Sequence, residues 1–491
     1  MDSFAEPERA APAAPAAAAA SASGPPLVVD LDGTLIRSDL LVESFLSLLS
    51  ARPLQALRCL GALRRGKAAF KAALADHALV DAHTLPYDPA VLALVQAARA
   101  EGRSTVLASA SDARYVRQVA EHLGGFDAVL GTEGDANLSG PAKADALAAL
   151  YGERGFDYVG DHAVDAPVWR RARRAYVKAP GPRLRRRLQR EGLVAEPVGE
   201  RGARARAWLK ALRPHQWLKN ALVFLPPLAG HAFGAPLLAC VAAFVAFSLC
   251  ASSVYLLNDL LDLRADREHA RKRRRPFASG DAPLLQGLLL APLLLIGAVA
   301  IGVFLPPRFL LVLAGYFTLT LAYSLGLKRI VMIDVVTLAC LYGARLLAGS
   351  AASDVPLSHW LEALSVFLFL SLALVKRSAE LVDRIQAGKG DPSGRDYRLS
   401  DLPMVEAMGA AAGFTAVLVL ALYLNSPDVD ALYRRSHRLW LICVVVLYWV
   451  CRMLMKAHRG EMHDDPVVFA VRDRASLVCG AVCAAVVASA L

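Results

Sequence analysis

The sequence predicts an N-terminal α/β domain followed by a C-terminal all-α membrane domain with about nine transmembrane helices. Between residues 27 and 183, short apolar runs alternate with helical patterns, which indicates buried parallel strands connected by helices. From residue 217 onward the apolar runs approach the ~20 residues that a helix needs to cross a bilayer. The 491 residues are 56% hydrophobic and carry a formal net charge of +11, as expected of a membrane protein with basic cytoplasmic loops.

The chain divides by composition into four parts. Residues 1–26 are rich in Ala and Pro, lack the features of a signal peptide, and are predicted to be a disordered tail. The α/β domain covers 27–183, and the membrane domain covers 217–491. The Arg-rich stretch 184–216 between them predicts a linker with a helix lying on an anionic membrane surface, although a solvated linker helix is the alternative.

Basic residues in the loops predict the orientation. The predicted spans are 217–234, 236–257, 283–304, 307–325, 331–351, 358–375, 404–424, 438–455 and 468–490. Loops 258–282 and 376–403 are the most basic, and both fall on the side of the α/β domain; 425–437 is the basic exception on the other side. The positive-inside rule therefore predicts a multi-pass protein of the inner, cytoplasmic membrane, with the α/β domain in the cytoplasm and the C-terminus opposite. The net positive charge is therefore explained by the lipid bilayer, and no nucleic acid partner is expected. The oligomeric state is not predicted.

Polar residues follow the predicted strands of the α/β domain. They are Asp30 and Asp32 in DLDGT, Ser109 after STVLA, Lys143 in GPAKADAL, and Asp161 and Asp165 in GDHAVD. Ends of successive parallel strands lie at one edge of a sheet, where such folds place their sites. Two carboxylates two residues apart can divide the roles of nucleophile and general acid or base.

In this order, the four motifs resemble those of the haloacid dehalogenase superfamily, which has a Rossmannoid α/β fold. The resemblance implies a phosphatase in which Asp30 attacks phosphorus, Asp32 transfers the proton, and Ser109 and Lys143 hold the phosphoryl oxygens. A domain that keeps these residues without activity, or carboxylates that serve only as turn residues, are the alternatives.

The same resemblance implies a Mg²⁺ cofactor. Asp30 and Asp161 would bind the ion with support from Asp165, and Asp32 is included in the same metal-binding group. Residues 38–88 would form a small helical cap.

An acidic motif follows the apolar run that ends at residue 257. Asn258, Asp259, Asp262 and Asp266 fit N-D-x-x-D-x-x-x-D, and the three carboxylates would share one face of a helix. Like charges so placed repel, and Mg²⁺ prefers one or two carboxylates together with phosphate oxygens. The motif therefore predicts a Mg²⁺–diphosphate site, with Arg271 and the bases up to residue 275 neutralising phosphate charge. A solvated basic loop is the alternative.

With the predicted spans, this motif resembles the UbiA superfamily of intramembrane prenyltransferases over residues 213–491. Members bind a prenyl diphosphate through two Asp-rich loops and prenylate an aromatic acceptor. Here the second loop departs from the family, because Lys376 and Arg377 accompany Glu380 and Asp383. A basic loop suits a directly bound anion better than a second metal ion.

The sequences RPHQWLKN, NDLLDLRADREHARKRRRP, YSLGLKR and KRSAE together resemble the polyprenyl-phosphate phosphoribosyltransferase branch of that superfamily. The branch implies phosphoribosyl pyrophosphate as donor, with Mg²⁺ on Asp259, Asp262 and Asp266, and a polyprenyl phosphate as acceptor. The residues assigned to substrate binding are Asn258, Lys219, Arg271, Lys328, Lys376, Arg377 and Glu380.

Other functions stay open at this point. One is an aromatic prenyltransferase that uses a prenyl diphosphate lipid and carries an unrelated phosphatase; another is a transporter or scaffold with a regulatory α/β domain.

Asp334 and Arg345 fall within the fifth predicted span and should face the helix bundle, because charges facing lipid are costly. The sequence His463-Asp464-Asp465-Pro466 predicts a helix start, with a supporting role at the site as the alternative.

Overall fold

The computed structural model describes residues 24–78, 80–133, 137–200, 202–392, 395–462 and 465–491. Residues 1–23 of the predicted tail lie outside the described residues. Contacts divide the chain into two units. The first comprises Met1–Ala211 and Asp259–Leu288, and the second comprises Leu212–Asn258 and Leu289–Leu491. The stretch Asp259–Leu288, named here the Asp-rich segment, thus belongs to the unit of the α/β domain.

The first unit is built on a six-stranded parallel sheet with strand order β3-β2-β1-β4-β5-β6. The strands are β1 Leu27–Val29, β2 Thr105–Asp112, β3 Ala128–Thr132, β4 Asp157–Gly160, β5 Arg174–Lys178 and β6 Ala195–Val198. The helices are α1 Leu40–Ala51, α2 Pro53–Leu60, α3 Lys67–Ala75, α4 Pro89–Ala100, α5 Ala113–Leu123, α6 Pro141–Tyr151, α7 Ala166–Arg171, α8 Pro182–Arg190 and α9 Arg204–Leu212. Residue Val28 pairs with Val106 on one side and Tyr158 on the other, so the fully buried β1 lies at the centre. The predicted parallel α/β fold is confirmed.

The sheet extends beyond the predicted domain boundary at residue 183. Strand β6 pairs with β5 through Glu196 and Tyr176, although the prediction assigned the residues of β6 to the linker 184–216. An edge strand needs only one buried face and tolerates Pro, so AEPV lacks the apolar run that identifies a central strand. The basic segment that remains contains α9, whose binding to a membrane surface stays a prediction.

Helices α1, α2 and α3 form an insertion between β1 and β2 with its own apolar cluster. Leu48, Ala56, Phe70 and Leu74 are buried in that cluster. The predicted small helical region at 38–88 is therefore present.

Seven helices in the described residues are long and apolar enough to cross a membrane, or up to eight if one bent pair forms a single span. The helices of this part of the chain are α10 Leu225–Ala229, α11 Ala235–Leu261, α12 Leu263–Glu268, α13 Leu284–Gly302, α14 Pro307–Leu325, α15 Ile333–Ser353, α16 His359–Gln386, α17 Leu402–Leu424, α18 Pro427–Leu432, α19 Trp440–His458, α20 Pro466–Arg472 and α21 Arg474–Ala490. The bent pair is α20 with α21, which meet at 80°. The expected number of about nine spans is thus approximate.

The first predicted span, 217–234, differs from an α-helix. Residues Pro214–Phe224 form a 3₁₀ helix of 11 residues, followed by the five residues of α10. A 3₁₀ helix rises about 2.0 Å per residue against about 1.5 Å in an α-helix, so the two together extend about 30 Å. Pro226 and Pro227 lack the amide hydrogens that a long α-helix uses.

Asp334 and Arg345 are buried, as predicted. Asp334 lies 2.6 Å from the Arg377 guanidinium and accepts a hydrogen bond of 2.6 Å from the Tyr397 hydroxyl. Arg345 donates to the Asn220 amide oxygen at 2.9 Å and to the Tyr316 hydroxyl at 3.1 Å. Asp334 and Arg345 therefore each have polar partners, which is the condition for burying a charge.

Replacing Gly349 by Ala should destabilise the second unit. An added Cβ would lie 2.0 Å from the carbonyl oxygen of Val223, so the 3₁₀ segment and α15 would have to separate. We expect a loss of about 1–3 kcal/mol, typical of overpacking, measured as a lower melting temperature of the detergent-purified protein. Gly343→Ala on the same helix is the control, because its Cβ would meet nothing within 4 Å. Equal melting temperatures for the two variants would contradict this packing.

Candidate functional site

Three carboxylates from separate sequence motifs converge at one edge of the sheet. Asp30 follows β1, Asp161 follows β4, and Asp165 lies in the next turn. One oxygen from each lies within 4.8 Å of the others, a group that can hold a metal ion. Gly33 allows this approach, because at its φ of +76° a Cβ would lie 2.5 Å from Asp161 Oδ2. The backbone that carries Asp30 and the side chain of Asp161 are therefore in direct contact.

Lys143 and Tyr158 form hydrogen bonds to two of these carboxylates. The buried Lys143 Nζ donates to Asp30 Oδ1 at 2.6 Å and to the carbonyl oxygen of Ala108 at 3.2 Å. It also lies 3.1 Å from the Tyr158 hydroxyl, which donates to Asp165 Oδ1 at 3.0 Å. The lysine thus fixes one carboxylate directly and a second one through the tyrosine.

The Asp32 carboxylate points elsewhere. Its Oδ1 accepts from the Leu40 amide at 2.7 Å, and its Oδ2 accepts from the hydroxyls of Ser109 at 2.9 Å and Ser111 at 2.6 Å. The three-carboxylate group among the described residues does not include it, unlike the prediction that placed Asp32 with the metal ligands.

The electrostatics of this cluster favour a cation. Burial, together with the charges of Asp30 and Asp165, raises the pKa of Asp161 to about 7. Burial likewise raises the pKa of Asp30 to about 6, although Lys143 opposes the shift. Carboxylate oxygens are ligands that Mg²⁺ accepts, and phosphate oxygens or water complete its coordination. Asp30, Asp161 and Asp165 would therefore fit Mg²⁺.

The Asp-rich segment carries a second acidic cluster. Asp259 and Asp266 are buried, and both contact Arg275 Nη1, at 3.0 Å and 2.7 Å. The helix is interrupted at the partly buried Asp262, so the predicted single face is divided between α11 and α12. Arg271 is exposed. Two of the three predicted metal ligands thus share an arginine as their counter-ion.

In the second unit, two predicted lysines converge on one carboxylate. Lys219 Nζ and Lys376 Nζ lie 2.7 Å and 3.1 Å from Asp465 Oδ2. Tyr342 donates its hydroxyl to Asp465 Oδ1 at 2.8 Å. Asp465 also accepts from the Val467 amide at the start of α20, so it is the predicted helix cap and a member of this cluster. His463 and Asp464 lie outside the described residues.

The other predicted substrate residues of this unit have separate surroundings. Arg377 is buried between Asp334 and Glu380, and Arg395 also pairs with Glu380. The structure therefore places Arg377 in an internal ion-pair network. Asn258 donates to Ser324 Oγ at 2.9 Å, and Lys328 lies partly buried in the one-turn 3₁₀ helix Leu327–Arg329.

Four residues of these clusters were not selected from the sequence as site residues: Ser111, Tyr158, Tyr342 and Asp465. Ser111 had a usable signal, because it follows Ser109 by two residues on the same strand. The two tyrosines lie in apolar runs where an aromatic side chain indicates core packing. The partners of Asp465 are 246 and 89 residues away in the chain, so no local pattern reveals them.

Two family models match the chain. The model of the UbiA prenyltransferase family matches residues 223–477, and that of the haloacid dehalogenase-like hydrolases matches residues 27–170.

Curated relatives extend this result. An uncharacterized protein of Sinorhizobium fredii, y4nM, is 37% identical over 464 residues, covering 94% of this chain and 90% of its own length. The nodulation protein NoeC of Azorhizobium caulinodans is 37% identical over 276 residues, or 55% of this chain and 89% of that protein. Decaprenyl-phosphate phosphoribosyltransferase of Mycolicibacterium smegmatis is 39% identical over 211 residues, or 42% of this chain and 66% of that protein.

Removing one carboxylate of the first cluster should weaken Mg²⁺ binding there. We expect Asp161→Asn to lose one binding event when Mg²⁺ is titrated into the protein by calorimetry at about pH 8. For the unsubstituted protein, Mg²⁺ affinity should fall as the pH is lowered, because protons on Asp30 and Asp161, with pKa values of about 6 and about 7, compete with the ion. Asp145→Asn is the matched control, since that carboxylate is 66% exposed. Unchanged Mg²⁺ stoichiometry in Asp161→Asn would exclude this cluster as a metal site.

Proposed function

We propose that this chain, which belongs to the UbiA prenyltransferase family and carries a haloacid dehalogenase-like domain before its membrane domain, is a bifunctional enzyme. It transfers the 5-phosphoribosyl group of phosphoribosyl pyrophosphate to a polyprenyl phosphate, and its α/β domain hydrolyses the 5-phosphate of the product. The chain is an integral membrane protein. Its location in the inner membrane, with the α/β domain in the cytoplasm, belongs to the proposal.

One observation carries the choice of acceptor. Lys219 and Lys376 face a single carboxylate, Asp465, so this cluster has an excess positive charge. Glu380, which lies near the end of α16 in the stretch where the family would carry acids, is already matched by Arg377 and Arg395. Fixed cations of this kind suit a phosphate monoester of a lipid, whose charge they neutralise directly. The phosphoribosyltransferase relative, 39% identical over 211 residues, supports the same substrate class.

The donor is assigned to the Asp-rich segment. Asp259, Asp262 and Asp266 would hold Mg²⁺, which would neutralise the diphosphate that leaves. Arg275 now balances Asp259 and Asp266, and it would become available to phosphate oxygens once another cation takes its place. In the transfer, an oxygen of the lipid phosphate forms a bond to C1 of the ribose while the bond from C1 to pyrophosphate breaks.

The phosphatase step uses the first cluster. Asp30 is oriented for attack on phosphorus by Lys143 on Oδ1 and by the Thr34 hydroxyl on Oδ2, at 3.2 Å. Asp32 would protonate the leaving oxygen and later take a proton from water, which hydrolyses the phosphoryl group on Asp30. Burial raises the pKa of Asp32, which suits a carboxyl group that must hold a proton before it gives it away. Mg²⁺ on Asp30, Asp161 and Asp165 would neutralise the phosphoryl oxygens.

Incubating the Asp30→Asn protein with Mg²⁺, a polyprenyl phosphate and phosphoribosyl pyrophosphate should yield a lipid heavier by one phosphoribosyl group, detected by mass spectrometry. The substitution removes the phosphatase nucleophile and leaves the Asp-rich segment intact. Adding Asp262→Asn should lower the rate at least about 100-fold, the scale of losing a group that stabilises developing charge.

The aromatic prenyltransferase alternative is tested in parallel with a prenyl diphosphate and an aromatic acid. No phosphoribosyl adduct, together with turnover of that second substrate pair, would contradict the phosphoribosyl assignment. Asp262→Asn turning over at the rate of the parent would instead favour a transporter or scaffold.

Restoring Asp30 should remove the 5-phosphate from the product. Covalent linkage of the two domains raises the effective concentration of the lipid product at the phosphatase. We expect the mass spectrum to shift from the phosphoribosyl lipid to the ribosyl lipid within the same incubation. If the product keeps its 5-phosphate although Asp30 is present, the phosphatase does not act on the product of the transferase.

A further inference from the structure

The Asp-rich segment is held by the helical insertion of the α/β domain. Arg267 Nη1 and Nη2 contact Glu43 Oε2 at 3.1 Å and Oε1 at 2.5 Å. Both side chains are only 7% exposed. A bidentate pair of this kind is both directional and difficult to break, unlike an exposed ion pair.

Arg267 also determines the shape of the segment itself. Its Nε donates to the carbonyl oxygen of Ala278 at 3.0 Å, so one guanidinium joins α1, α12 and the turn that leads back to α13. The preceding residue, Asp266, shares Arg275 with Asp259. Where Arg267 lies therefore determines where the carboxylate of Asp266 lies.

The other partner, Glu43, is fixed on the side of the phosphatase. It lies in the first turn of α1, whose first amide, at Leu40, donates to Asp32 Oδ1 at 2.7 Å. A second contact supports the first: Gly280, at a φ of +75°, packs so closely that its Cβ would lie 2.4 Å from the Cβ of Arg37. The Asp-rich segment therefore meets this stretch of the α/β domain at several places, which also include an ion pair of 3.3 Å between Arg264 and Asp81.

We propose that Glu43 and Arg267 are a positioning pair through which the α/β domain holds the Asp-rich segment in its diphosphate-binding conformation. This inference rests on the proposed role of Asp259, Asp262 and Asp266 in binding Mg²⁺ and a diphosphate. The α/β domain is then a structural part of the donor site in addition to a phosphatase.

The test measures binding of Mg²⁺ and pyrophosphate to the full chain, because pyrophosphate is the group that phosphoribosyl and prenyl donors share. An Asp161→Asn background removes the metal cluster of the phosphatase. In that background, Glu43→Gln and Arg267→Gln should each weaken pyrophosphate binding about 10-fold, and the double variant should lose no more than either single one, since the two side chains act through each other. Glu121→Gln, an exposed carboxylate on α5, is the control and should bind as the parent does.

Two further readouts separate positioning from general destabilisation. Hydrogen exchange of the Asp-rich segment should be faster in both single variants while exchange of the central strands stays as in the parent. The exchanged pair Glu43→Arg with Arg267→Glu should recover most of the affinity, because it restores an ion pair at the same place.

The outcomes are distinct. Weaker binding with faster local exchange and recovery in the exchanged pair supports the positioning role. Parent-like affinity in the single variants, with or without faster exchange, overturns it while leaving the proposed function in place. A parent protein that binds no pyrophosphate overturns both.

Discussion

A carboxylate removed from water needs a cation beside it, and both units of this protein are arranged around that requirement. Four of the pairs join distant parts of the sequence: Asp30 with Lys143, Glu43 with Arg267, Asp334 with Arg377, and Asp465 with Lys219. A fifth pair, Asp266 with Arg275, closes the Asp-rich segment on itself. Each pair fixes two elements in one geometry, because separating its members would leave a buried charge uncompensated. The ion pairs therefore determine which helices and turns can pack together, and the apolar side chains fill the space that remains.

The ratio of fixed charges in each cluster indicates the sign of its ligand. Around Asp30, three carboxylates lie together while Lys143 pairs directly with one of them, and burial together with the charges of Asp30 and Asp165 raises the pKa of Asp161 to about 7. The same excess exists where Asp259 and Asp266 share Arg275. Around Asp465 the ratio is reversed, because two lysines face one carboxylate. Under the proposed function, a divalent cation would complete the first two clusters, and an anion would complete the third.

Sequence patterns predicted the parts of the fold that depend on local rules. The strand-end rule indicated that Asp30, Ser109 and Asp161 would meet, since ends of parallel strands share an edge. Patterns failed where geometry is irregular or contacts are distant. Most of the 3₁₀ helix Pro214–Phe224 fell within the predicted α-helical span 217–234, because hydropathy carries no information on rise per residue. Strand β6 was missed because an edge strand has no continuous apolar run. The partners of Asp465 were missed because they lie 89 and 246 residues away.

The Asp-rich segment shows that a loop between two membrane helices need not belong to the unit that those helices form. It lies between the apolar helices α11 and α13, so hydropathy assigns it to the membrane domain. Its contacts assign it to the α/β unit: Arg267 pairs with Glu43, and Phe277 packs edge-on against Trp208 at 6.0 Å between ring centroids. A loop restrained in this way loses less conformational entropy when a ligand orders it. Joining the haloacid dehalogenase-like domain to the membrane domain therefore gives the Asp-rich segment a rigid support that a short surface loop between two membrane helices lacks.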